Sequence, residues 1–202
     1  MNAVVPGLIE TYTANWWSEE YTNTHLPYLL STDIQFTRDP NPVYGEQVVG
    51  LRFLNIRIPQ RSSIVYAYVQ FTASEVSESY VGVRIAAQKS ASASNFTTSF
   101  ADVSSRPLTT ASSLWTPYGW SAVLESNVNE QTSNIAGTIQ EVVNLPQWTQ
   151  AVSPIVLVFA RDSSDTGSGS RWASNSLGLG PMPVLRILHL DSEGLIYLDL
   201  DC

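Results

Sequence analysis

The sequence predicts an all-β protein, an antiparallel two-sheet β-sandwich (jelly roll) with one short helix. Apolar residues alternate at a period of two through the middle of the chain, as half-buried strands require. Clusters of Pro, Gly, Asn and Ser separate these runs, and no helical pattern alternates with them, which excludes the parallel α/β classes.

The elements follow in order. Weak strands are expected near Tyr28 to Phe36, then a strong one from Leu51 to Ile58. In Val65 to Phe71, the residues Val65, Ala67, Val69 and Phe71 share one face, and Tyr66, Tyr68 and Gln70 the other. Val81 to Ala87, Pro154 to Ala160, Val184 to Leu190 and Leu195 to Leu200 read alike, with a weaker strand at Trp115 to Val123. Eight or more strands of this kind fit two packed sheets. One helix interrupts them: Thr132-Ser133 supplies a candidate N-cap, Ile135, Ile139 and Val142 mark one face, and Pro146 lies past its end. This helix is expected to cap an open end of the sandwich. Residues 162–170 and 90–94 are loops by composition.

Composition narrows the function classes. Only 14% of the 202 residues are charged, Ser and Thr make up about a fifth, and nine of the ten basic residues are Arg, with Lys89 the sole lysine. A formal net charge of −8 repels phosphate backbones and anionic membranes, so no nucleic-acid partner is expected. No stretch approaches the roughly 20 apolar residues of a membrane span, so no membrane insertion is expected. Cys202 is the only cysteine, which excludes an intrachain disulfide and a cysteine-ligated metal. The Lys-poor, Ser/Thr-rich surface suits an extracellular or cell-surface domain of a larger secreted protein.

Several runs are also similar to a known family. Val49-Gly50-Leu51-Arg52-Phe53-Leu54-Asn55-Ile56-Arg57-Ile58-Pro59-Gln60, followed by Ile64 to Phe71, resembles a "GLRF-N-IPQ…I-AY-QF" pattern. Ser105-Arg106, Thr109-Thr110-Ala111-Ser112, Trp115, Trp120, Ile139-Gln140-Glu141-Val142-Val143 and Trp148 resemble a later series, and Ser31 to Phe36 an opening one. These belong to DNRLRE-like jelly-roll modules of large extracellular bacterial, marine and algal proteins. The resemblance implies a galactose-binding-like domain of the carbohydrate-binding-module type over residues 18–190. Residues 1–17 are then an N-terminal lead-in, and residues 191–202 an extra strand or linker that departs from the family pattern.

Aromatic faces stack on the C–H faces of sugar rings, so the six tryptophans are the first candidates for a site. Trp115, Trp120 and Trp148 are expected in the core. Trp172 follows a Ser/Gly/Asp loop directly and is preceded by Arg171, a bidentate donor for hydroxyls or a uronate. With Asp162 and Asp165 in that loop, the four form the expected carbohydrate site. One ring of the extended pair Trp16-Trp17 has to point away from the core, and Trp17 is assigned as a second platform. Jelly-roll carbohydrate modules often hold structural calcium, and Glu19, Glu20 and Asp33 are the expected ligands, weighed against solvated surface charge.

The inventory for catalysis is thin. His25 and His189 are the only histidines, and no nucleophile elbow, phosphate loop or zinc signature is present. The expected function is therefore a non-catalytic module that binds a polysaccharide or glycan by aromatic stacking and loop polar groups. The alternative is a structural or assembly domain that self-associates through the strand at Leu195 to Leu200, because a free edge templates pairing.

Overall fold

The computed structural model describes residues 9–29, 31–39, 43, 45–178 and 180–190. The protein is all-β, a curled antiparallel sheet with one α-helix. Its strands are β1 (Ile9–Tyr21), β2 (Pro27–Tyr28), β3 (Asp33–Arg38), β4 (Glu46–Phe53), β5 (Ser63–Gln70), β6 (Val83–Ala87), β7 (Ser113–Trp115), β8 (Ile155–Arg161), β9 (Arg171–Ser174) and β10 (Val184–Leu190). The main path runs β5-β10-β1-β4-β8-β6-β7, and β3 pairs with both β4 and β9.

The two layers of the sandwich are joined through β1. Its first half, Ile9 to Thr13, pairs with β10, and its second half, Ala14 to Tyr21, pairs with β4. The strand therefore runs across the expected boundary at residue 17. It escapes periodicity analysis because Ile9, Thr11 and Thr13 point outward while Glu10 points inward. The expected strand at Leu51 to Ile58 begins earlier, at Glu46, and stops at Phe53, beyond which Asn55 takes a left-handed φ of 55°. Ile56 and Ile58 still bury fully from the irregular segment beyond it. The segment expected as a strand from Leu195 lies outside the described residues, as does Cys202.

Aromatic rings fill the space between the layers. Phe36, Phe71, Trp115 and Phe159 meet at centroid separations of 5.0–5.9 Å, in edge, tilted and stacked pairs. Trp115, Trp120 and Trp148 are buried, as expected from the sequence. Trp120 Nε1 donates to Asn129 O at 3.1 Å and Trp148 Nε1 to Ile58 O at 2.9 Å, so both bury their polar end with a partner.

The helix α1 (Ala136–Val143) buries Ile135, Ile139 and Val142 completely, the predicted face. Its capping residue differs from expectation. The segment leading into it and the helix itself lie along the otherwise free edge of β5: Thr132 Oγ1 accepts from Val69 N, Asn134 Oδ1 from Ala67 N, and, from within α1, Gln140 Oε1 from Ile64 N. Thr132 thus serves the sheet, and Asn134 Oδ1 accepts the first helical amide, that of Ala136. An edge strand is protected from pairing with other chains in this way.

A second, smaller core lies outside β4 and β8, where Ala93, Phe96 and Val103 pack on Val156 and Val158. Arg106 holds this loop. Its guanidinium sits 4.4 Å from the Phe96 centroid and donates to Asp102, Gln88, Ser94 and Asn95. Glu141 accepts from the Thr110 and Ala111 amides and pairs with Lys89 at 2.8 Å, contacts that hold its carboxyl down to about 2. Gln140 and Glu141 of the Ile-Gln-Glu run therefore tie the helix to a sheet edge and to a loop.

Candidate functional site

Of the residues expected to bind carbohydrate, Asp162 and Asp165 line one depression with Glu46 and Arg161, and Arg171, Trp172 and Trp17 do not join them. Arg171 and Trp172 are neighbours in β9, so their side chains leave on opposite faces. Arg171 lies opposite Phe36 and is fully buried. It donates to the carbonyls of Pro117, Tyr118 and Ser170 and to Ser77 Oγ, and among the described residues it has no ion pair. Burial pulls its guanidinium down to about 10. Trp172 is half-buried on the outer face beside Gln35 and donates Nε1 to Ser170 Oγ at 3.0 Å.

Asp162 and Asp165 each bond both to their own loop and to the chain entering β6. Asp162 accepts from Arg84 and from Ser164 N and Oγ, and the Ser164 hydroxyl foremost holds its carboxyl below the usual range. Asp165 accepts from Gly82 N at 3.0 Å and Gly167 N at 2.8 Å. These carboxylates shape the β8–β9 connection, a local role of Asp in turns that composition alone does not separate from ligand binding.

The expected metal set divides for the same reason as the arginine and tryptophan. Glu19 and Glu20 alternate across β1. Glu19 faces the main core and accepts from Gln35 N at 2.6 Å, and burial pushes its carboxyl up to about 8. Glu20 faces the outer loop and accepts from Val103 N at 2.7 Å and Ser104 N at 3.1 Å. Asp33 accepts from Ser31 Oγ and Gln35 Nε2. Among the described residues no group of three or more His, Cys, Asp or Glu side chains is placed to hold a metal ion. His25 sits 3.5 Å from Glu20 and edge-on to Phe100, at a left-handed φ of 53°.

A different site emerges where β1 passes between the layers. Asn15 is a β-bulge: Ala14 lies opposite Phe53 and Trp16 opposite Arg52, which leaves Asn15 unopposed. The extra residue inverts the alternation, so Trp17 packs inward with 8% exposure while Trp16 stands outward at 41%. The outward ring of the pair is therefore Trp16, and the assignment of Trp17 as the platform is corrected.

Two depressions share Asn15 as a wall. One, of about 400 Å³, is bordered by Thr11, Thr13, Asn55 and Arg57, and the other, of about 250 Å³, by Trp16, Leu29, Ser176 and Leu177. The first is rich in hydrogen-bonding groups. Arg57 is anchored there by Glu10 at 2.8 Å, and its amide donates to Tyr12 Oη at 3.0 Å. Burial raises the Tyr12 phenol, which keeps it a neutral hydroxyl. The second is apolar, and its wall residue Trp17 has a buried indole N–H without a hydrogen-bond partner among the described residues. Asn15 thus separates a depression walled by an aromatic ring from one bordered by amide, hydroxyl and guanidinium donors. Asn15, Trp16, Asn55 and Arg57 were not assigned to a site from the sequence, because a bulge leaves no mark in composition or periodicity.

The chain matches no protein-family model and no curated protein. No helix among the described residues is long and apolar enough to cross a membrane.

Proposed function

We propose that this domain is a non-catalytic glycan-binding module of an extracellular or cell-surface protein, and that the pair of depressions at the β1 bulge is its site. The observation that carries this reading is the bulge itself, which turns the Trp16 ring outward into one depression and leaves Asn15 as the wall shared with a second, bordered by Asn55 and Arg57. Sugars present apolar C–H faces and a rim of hydroxyls, and bind where a ring and convergent polar groups lie together. Trp16 stacks on one sugar, while the Arg57 guanidinium and the two asparagine amides take hydroxyls of the next. The resemblance to carbohydrate-binding jelly rolls supports the same class of ligand.

A glycan array with the intact chain, followed by calorimetric titration of each hit, tests the proposal. Trp16→Ala is expected to weaken a true hit roughly tenfold or more without changing the melting temperature. An array with no hits, or hits that Trp16→Ala leaves intact, overturns it.

A further inference from the structure

We infer that the outward face of β1, β10 and β5 is a second binding surface, and that it takes an acidic polysaccharide. Register places Ile9, Leu188 and Tyr66 in one cross-strand row, and Thr11, Arg186 and Tyr68 in the next. Leu185 and Ile187 point into the core, so Arg186 and Leu188 point out. Tyr66 is 42% exposed, and its ring lies 5.7 Å from that of Tyr68 at a 56° tilt. The outward residues of β5, β10 and the Ile9–Thr13 part of β1 include no Asp or Glu, in a chain that has 18 of them.

The chemistry of the occupant follows from Arg186. Most basic residues of this chain are committed elsewhere: Arg38, Arg57, Arg84, Lys89, Arg106 and Arg161 form ion pairs. Arg52 is spent on the Ala93 carbonyl. Arg186 is exposed, has no ion pair among the described residues, and lies beside Tyr68. A guanidinium amid tyrosine rings matches a polymer whose repeat carries both an apolar ring face and an anion, such as a uronate or a sulfated sugar. The formal charge of −8 on the whole chain disfavours denser polyanions such as nucleic acids. This inference shares the glycan class with the proposed function but needs neither Trp16 nor the depressions at the bulge.

Titration of the intact chain with polygalacturonate, with dextran as the neutral control, decides it. Binding to polygalacturonate but not dextran is expected, and it weakens with added salt. Arg186→Gln should weaken it about three- to fivefold, the scale of an exposed ion pair. Tyr66→Ala with Tyr68→Ala should weaken it further, and Trp16→Ala should leave it unchanged. These positions are on the surface, and equal melting temperatures confirm that the variants fold. Lack of binding, binding unchanged by Arg186→Gln, or equal binding to poly-glutamate overturns the inference. Loss in Trp16→Ala alone would assign the polymer to the depressions at the bulge and overturn it as well.

Discussion

The Phe96 ring lies directly over the backbone of Gly50: a Cβ on Gly50 would fall 2.4 Å from Phe96 Cζ and 2.6 Å from Cε1. The outer loop can approach β4 this closely only because residue 50 has no side chain. Gly50→Ala is expected to cost about 1–3 kcal/mol by overpacking. The penalty should shrink in a Phe96→Ala background, and urea unfolding of the four members of that cycle measures the coupling.

The bulge at Asn15 makes two adjacent tryptophans unequal. Trp17→Ala should destabilise by roughly 3–5 kcal/mol as a buried large-to-small change, whereas Trp16→Ala should stay within about 0.5 kcal/mol. Chemical denaturation followed by circular dichroism compares them. Equal costs would place both rings in the core and remove the bulge inversion.

Glu19 gives stability a definite pH dependence. Its carboxyl is raised by burial from 4.5 to about 8 in the folded chain, so between these values the native state holds a proton that the unfolded state has released. Its contribution is complete below about pH 4.5, falls as pH rises through that window with a slope approaching ~1.4 kcal/mol per pH unit, and is lost above about pH 8. Glu19→Gln keeps an oxygen for the Gln35 amide and cannot ionise. The difference in melting temperature between variant and wild type should grow in favour of the variant from pH 5 to pH 8.

Arg171 is a buried cation satisfied by carbonyl and hydroxyl oxygens instead of by a carboxylate. Arg171→Met leaves those acceptors without donors and should cost on the order of 3 kcal/mol. Arg171→Lys should rescue little, since an ammonium lacks the planar fork that reaches Ser77, Ser170, Pro117 and Tyr118 together. Equilibrium unfolding in urea measures both variants.

The free edge of β5 is covered by the segment that leads into α1 and by Gln140 of the helix, through side chains and through the Thr132 and Ile135 amides. Asn134→Ala and Gln140→Ala each remove one acceptor of a β5 amide, at a cost of about 1 kcal/mol, and together open an edge for pairing between molecules. Analytical ultracentrifugation of the double variant should show concentration-dependent association that wild type lacks.

The alternation that predicts β5 also shows where such patterns stop. Ala67, Val69 and Phe71 bury as expected, but Val65 is exposed and Ile64 takes its place. A bulge at Val65, between the Leu188–Tyr66 and His189–Ile64 pairs, shifts the phase. Strand class, the three core tryptophans and the buried helix face follow from local residue order. The site does not, because it depends on Asn15 lacking a partner across the sheet and on whether Asp162, Asp165, Glu19 and Glu20 spend their oxygens on nearby amides. Both are decided by tertiary placement, so a single sequence gives adjacent acidic residues and adjacent aromatics without their directions.

One strand common to both layers removes the freedom of either to part alone. Opening the β4 side strips β1 of the ladder that keeps its first half straight against β10, and the reverse holds equally. The sandwich is then expected to unfold as a single cooperative block, and amide exchange in β4 and β10 should rise and fall in step. A bound polymer pulling on one face would have its tension carried into the other through thirteen residues of continuous backbone.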